Sequence, residues 1–161
     1  MVMRRPTACG ADQPRVLFIS YDGLLDPIGQ SQVLPYLRGL AARGAAMTVL
    51  SFEKADGTRT SGRITALQQE LTDSGVQWVP LRYHKRPTAL ATAYDVMVGL
   101  VRAWRIVRRD QIQIVHARSY VAAIIAWVLK RWLRVRFVFS TIGFWIEERS
   151  DIGFWSSRRL L

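Results

Sequence analysis

An α/β fold built on a doubly wound parallel sheet is what the sequence predicts, on three observations. Five short apolar runs alternate with longer stretches whose apolar residues recur at helical spacing. Glycines stand where helices should stop, at Gly44 and Gly75. The 161 residues are half apolar, 22% charged and 11% aromatic, which suits one domain with a sizeable core and leaves no room for a second.

The elements follow in order. Residues 1–14 read as a flexible polar arm, and the domain spans 15–161. Arg15–Ser20 (RVLFIS) is a continuous apolar run, the mark of a strand buried on both faces. The loop YDGLLDPIGQ leads to a helix over about 31–43, with Val33, Leu34 and Leu37 inward and Pro35 placed in its first turn. Met47–Phe52 is the second strand, and the polar stretch 53–61 reads as loose. A helix near 62–74 turns Ile64, Leu67 and Leu71 inward. Val76–Leu81 is the third strand, with Pro80 clouding its end. After the basic loop RYHKRP, a long helix over 88–109 should bury Leu90, Tyr94, Met97, Val101 and Trp104. Ile112–His116 is a short strand, 119–133 an amphipathic helix and Val135–Ser140 the last strand.

Charge is unevenly placed. Nearly all of the net charge of +11 resides in residues 82–136, which hold 12 basic residues against 2 acids, a net of +10. Such a block points to a polyanionic partner such as an anionic membrane surface or phosphorylated ligands. Nucleic acid is the weaker choice, since no recognised binding motif accompanies the charge. A lone cysteine, Cys9, rules out an intrachain disulfide and a Cys-built zinc site, and two histidines leave little for another metal cluster. The longest apolar run, Val121–Leu129, is far short of the ~20 residues that span a bilayer, and no signal peptide is visible.

In an open α/β sheet the ligand sits beyond the carboxyl ends of the strands. The loop after the first strand ends in Gly29-Gln30 at a helix start, where backbone N–H groups can approach a phosphate or sugar. G-x-G-x-x-G and Walker A patterns are absent, so a dinucleotide cofactor and ATP-driven chemistry have no support. After the fourth strand, His116-Ala117-Arg118-Ser119 offers an imidazole and a guanidinium, with Ser119 capping the next helix. His84 reads as a solvated loop residue, and Glu147-Glu148-Arg149 as surface charge.

The stretches RVLFISYDGLLDPIGQSQVLPYLRGLAARG, SFEK, PLRYHKRP, IVHARSY and GFWIEER together resemble the N-terminal domain of family 4 glycosyltransferases, over about residues 15–155. The resemblance implies a Rossmann-like domain, the N-terminal half of a GT-B enzyme. That half binds the acceptor, while a second domain holds the nucleotide-sugar, and transfer proceeds with retention and no metal ion. It further implies that Gly29 and Gln30 lie near the donor phosphates, that His116 borders the transferred sugar with Arg118 and Ser119 beside it, and that Arg82, Lys85 and Arg86 build an acceptor surface. No cofactor is implied beyond the nucleotide-sugar as co-substrate. The chain is expected to be truncated, with a second polypeptide or a longer frame supplying the donor domain.

Two functions follow as expectations. One is the acceptor-binding half of a retaining glycosyltransferase that serves a glycan or lipid-linked acceptor, inactive without its donor domain. The alternative is a non-catalytic basic module that binds a membrane or a partner protein. Either would be cytoplasmic and peripheral on the inner face of the membrane. Helical geometry puts Trp127, Lys130, Arg131 and Arg134 opposite Val121, Ile124, Ile125, Val128 and Trp132, which should pack on the sheet. Arg102 and Arg105 on the preceding helix extend this membrane-facing surface.

Overall fold

The computed structural model describes residues 13–54, 58–84 and 88–141. Lys85, Arg86, the first twelve residues of the arm and the Glu147-Glu148-Arg149 triplet lie outside them. Five parallel strands stand in the order β3-β2-β1-β4-β5: β1 (Arg15–Ser20), β2 (Ala46–Glu53), β3 (Val76–Arg82), β4 (Ile114–Arg118) and β5 (Arg136–Ser140). The helices are α1 (Leu34–Ala42), α2 (Thr58–Asp73), α3 (Thr88–Arg109) and α4 (Tyr120–Leu133). The fold is therefore the α/β, doubly wound arrangement that the alternation predicts.

Strand alternation divides the core into two layers. Val16, Phe18 and Val49 point toward α1 and α2, where Leu34, Leu37, Leu67 and Leu71 meet them. Leu17, Ile19, Leu50 and Phe52 point the other way, toward α3 and α4. No helix among the described residues is long and apolar enough to cross a membrane.

Several boundaries differ from the sequence reading, each for a local reason. Helix α1 starts at Leu34, a few residues later than read, and Pro35 stands in its opening turn as expected. A π-helical turn over Gly29–Val33, closed by the Leu34 N–H to the Gly29 carbonyl, widens the backbone just before the proline. Pro80 lies inside β3 opposite Ser51 and is tolerated because β3 is an edge strand. Strand β4 is shifted by two residues: its pairing with β1 runs to Arg118 opposite Ser20, so His116 sits mid-strand, opposite Phe18. The stretch from residue 53 is not loose at its start, for Glu53 ends β2 and is buried.

The larger correction is the rotation of α3. Leu90, Tyr94, Met97, Val101 and Trp104 are exposed, and the helix buries Ala91, Asp95, Gly99, Ala103, Ile106 and Val107 instead. Gly99 shows why. A Cβ there would stand 2.7 Å from Phe52 Cζ and 2.9 Å from Ile125 Cδ1, so the helix approaches the sheet and α4 more closely than a large side chain allows. The face that goes in is small around Gly99, with Ile106 and Val107 buried a turn or two further on, and the stripe from Leu90 to Trp104 is left out. Helix α4 is corrected in part: Ala122, Ile125, Ala126 and Leu129 are its buried face, whereas Ile124 and Trp132 are exposed along with Trp127.

Candidate functional site

Strand order reverses between β1 and β4, the switch point at which open α/β sheets bind their ligands. The loop after β1 is shaped by a buried carboxylate. Glu53 Oε1 accepts the Leu24 N–H at 2.7 Å and the Ser51 hydroxyl at 2.6 Å, and Oε2 accepts the Leu25 N–H at 3.2 Å. Trp78 Nε1 donates to Ser51 Oγ at 2.8 Å, which ties β2 and β3 to the loop after β1. Gln30 Nε2 closes the same loop by donating to the Leu24 carbonyl at 2.9 Å. Gly29 is buried beneath it, and its missing Cβ makes room for the backbone of Gly23 and Leu24.

His116 lies next to this loop, on the α1 side of the sheet, and is only 6% exposed. Its ring meets Phe18 edge-on, with centroids 4.9 Å apart. Nε2 is 2.5 Å from Ser140 Oγ at the end of β5, and Nδ1 is 3.4 Å from the hydroxyl of the exposed Tyr36 on α1. Burial, and then the Arg118 guanidinium, push its pKa below the ordinary value, so the ring is neutral at neutral pH. The Ser140 bond is short and anchors the ring. The Tyr36 bond, at the limit of hydrogen-bonding range, leaves Nδ1 as the nitrogen that can turn to a ligand hydroxyl.

Arg118 donates from Nη2 to Gln32 Oε1 at 2.7 Å, which joins the end of β4 to the π-helical turn. Ser119 does not cap α4, because its side chain makes no cap bond. Its backbone instead holds φ 82 and ψ 160, a region that only glycine enters readily. Among the described residues, Arg118 Nε, Ser119 Oγ and Ser20 Oγ are buried without a hydrogen-bond partner, and Ser20 stands opposite Arg118 in the sheet. Unpaired buried polar atoms cost ~1–3 kcal/mol each, and here they are concentrated at the switch point, beside a strained residue. The strain has a measurable consequence. Ser119→Gly should raise stability by about 1 kcal/mol, the relieved ~1–3 kcal/mol of strain exceeding the added freedom of the unfolded chain. An unchanged or lowered denaturant midpoint would show that Ser119 is unstrained.

The structure thus brings Gly29, Gln30, His116, Arg118 and Ser119 together. Arg82 is left apart at the exposed end of β3, three strand intervals from β4, or roughly 14 Å at ~4.8 Å per interval. Glu53, Ser20, Tyr36 and Ser140 were not picked out by sequence reasoning. The acid closing an apolar run in SFEK was the available signal for Glu53. His84 is not merely solvated. Its N–H donates to Asp95 Oδ2 at 3.0 Å and its Nδ1 lies 2.6 Å from Oδ1, so the buried Asp95 pins the connection between β3 and α3.

A family model for the glycosyl transferase 4-like domain matches residues 29–161. The chain belongs to that family. A comparison with curated proteins gives no match. Among solved structures, the glycotransferase of kitacinnamycin aligns at 16% identity and a TM-score of 0.55, over 88% of this chain and 34% of its own. MurG of Acinetobacter baumannii aligns at 14% identity and a TM-score of 0.50, over 86% and 39%. The C-terminal domain of a hydrogenase from Pyrococcus furiosus aligns as well, at 16% identity and a TM-score of 0.52, over 84% and 96%. At such identities the likeness is one of fold, a Rossmann-like sheet shared with GT-B glycosyltransferases. The chain spans little more than a third of the length of the two transferases. The residues that the family model covers include most of the switch-point site, from the Gly29 turn to Ser140.

Proposed function

We propose that the chain supplies the acceptor-binding half of a retaining glycosyltransferase. In this reading a sugar passes from a nucleotide-sugar to a glycan or lipid-linked acceptor, and a donor-binding domain, in this or a second polypeptide, completes the cleft. The observation that carries it is the convergence of the family's residues on the switch point: a loop set by Glu53, a neutral His116, and Arg118 and Ser119 with unsatisfied polar atoms.

The geometry supports a role for each residue in this reading. His116, neutral and braced by Ser140, offers Nδ1 to a hydroxyl of the transferred sugar. Arg118 and the Ser119 hydroxyl offer donors to an anionic or hydroxyl-bearing group beside it. Gln30 and Gly29 act one step back, through the shape of the loop. Retention of the anomeric configuration rests on the family resemblance, as does the acceptor surface at Arg82, Lys85 and Arg86. A cytoplasmic location belongs to the same proposal, and a nucleotide-sugar donor would support it.

One half of a cleft cannot surround an oxocarbenium-like transition state with fixed dipoles, so the chain alone should transfer no sugar. Joined to a donor domain it should turn over with retention, read from the anomeric signals of the product. His116→Ala in that enzyme should lower kcat on the order of 10²-fold with the fold intact. Full activity in the variant, or turnover by the chain alone, would defeat the reading.

A further inference from the structure

We infer that the outer side of the α3/α4 layer is a docking face for an anionic lipid bilayer. The inference needs no part of the transferase reading. It begins with the rotation of α3. At 100° per residue Leu90, Tyr94, Met97, Val101 and Trp104 fall within one narrow arc, and all five face outward, Leu90 at 72% exposure. The adjoining α4, packed on the same side of the sheet, adds Ile124, Trp127 at 62% and Trp132 at 65%. Two neighbouring helices thus turn large apolar side chains to the same side, well beyond the scattered exposure that an ordinary surface shows.

Charge decides what covers them. Arg102, Arg105 and Arg108 of α3 and Lys130, Arg131 and Arg134 at the end of α4 are exposed among or beside these side chains. The acids of this layer are spent elsewhere: Asp95 is buried against His84, and Asp110 binds its neighbour Arg109. A face that is apolar, aromatic and cationic, with no free carboxylate among its described residues, complements an anionic headgroup layer over an acyl interior. Long Arg and Lys side chains reach the phosphates while indole rings sit at headgroup depth. Trp104 carries Arg108 over its ring at 5.2 Å, an aromatic–cation pair suited to that depth. A shallow groove of about 240 Å³ between Tyr94, Met97, Val98, Val101 and Arg102 gives the layer a recess for an acyl chain.

Polarity along the helices orients the contact. Helix α3 follows β3, so its apolar beginning at Leu90 and Tyr94 lies at the carboxyl edge of the sheet, and Arg105 and Arg108 lie toward the opposite edge. Helix α4 repeats the order, from Tyr120 to Arg131 and Arg134. Docked this way, the edge that carries the switch point adjoins the bilayer with its most apolar flank.

Vesicle co-sedimentation of the full chain tests this. The chain should bind vesicles of equal parts phosphatidylcholine and phosphatidylglycerol, weaken at high salt, and leave phosphatidylcholine vesicles largely free. Arg105→Glu with Arg131→Glu should weaken binding on the order of tenfold or more. The apolar pair Met97→Gln with Val101→Gln should weaken it at unchanged salt dependence. All four positions are exposed, so circular dichroism should report an unaltered fold. Arg38→Glu with Arg43→Glu, on α1 and directly after it across the sheet, makes the same change of net charge and should leave binding nearly as it was. No binding to the anionic vesicles, equal binding to both kinds, or a loss in the α1 control matching that of the α3/α4 pair would overturn the proposal. So would self-association of the chain that hides this face in place of lipid binding.

Discussion

Glu53→Ala should lower stability by about 3 kcal/mol. The carboxylate accepts from Leu24 N–H, Leu25 N–H and Ser51 O–H. Its removal strands two backbone donors, one fully buried, at ~1–3 kcal/mol each, and opens a cavity beneath the loop. The Ser51 hydroxyl can rotate and still accepts from Trp78, so it adds little. Measured against a typical 5–15 kcal/mol of total stability, the loss is large and a urea midpoint reads it readily. Amide exchange at Leu24 and Leu25 should accelerate more than at Phe18 in the strand. A midpoint shift below about 0.5 kcal/mol, with those amides still protected, would mean that the loop holds its shape without Glu53.

The layout of the sheet was legible because a parallel strand buried on both faces must be a continuous apolar run, and β1 and β2 are such runs. Helix faces were less legible. The stripe of α3 was read as inward on the rule that apolar residues at helical spacing face a core. That rule fails here because two faces of α3 compete, one large throughout and one small at Ala91, Gly99 and Ala103, where the helix comes closest to its neighbours. Distance chose the small one: Gly99 lets the helix settle against Phe52 and Ile125, contacts remote in sequence that no local window contains. Leu90 and Met97 then have nothing to pack against in the described structure.

The site was half legible for a related reason. His116, Arg118 and Ser119 stand out because polar residues that end an apolar run near a helix start are unusual. The register with β1, which carries β4 on to Arg118, depends on a strand nearly a hundred residues away in sequence. Ser140 and Tyr36, the two partners of His116, come from β5 and α1 and carry no signal of their own. Glu53 was passed over because an acid followed by Lys54 reads as the start of a polar loop. Its burial is justified only by N–H groups that the loop after β1 turns toward it.

Gly29→Ala should destabilise by about 3 kcal/mol, against the usual sign of the change. In a helix interior alanine is favoured over glycine by ~1 kcal/mol, so an unobstructed site in the turn over Gly29–Val33 would gain from the substitution. At Gly29 the new methyl would overlap the Gly23 carbonyl oxygen and stand 2.7 Å from Leu24 Cα. Both are backbone atoms, and no side-chain rotation relieves the clash. The loop cannot simply lift, because Glu53 holds Leu24 and Leu25 from one side and Gln30 holds the Leu24 carbonyl from the other. Overpacking against ordinary side chains costs ~1–3 kcal/mol, and a clash with pinned backbone belongs at the top of that range. Because the anchor and the clash share Leu24, the two substitutions should not add. Once Glu53→Ala has freed the loop, Gly29→Ala should cost less than it does alone, by about 1 kcal/mol or more in a double-mutant cycle. A Gly29→Ala variant as stable as the parent, or a cycle with no coupling, would show that the glycine is there for a reason other than the close approach of the loop.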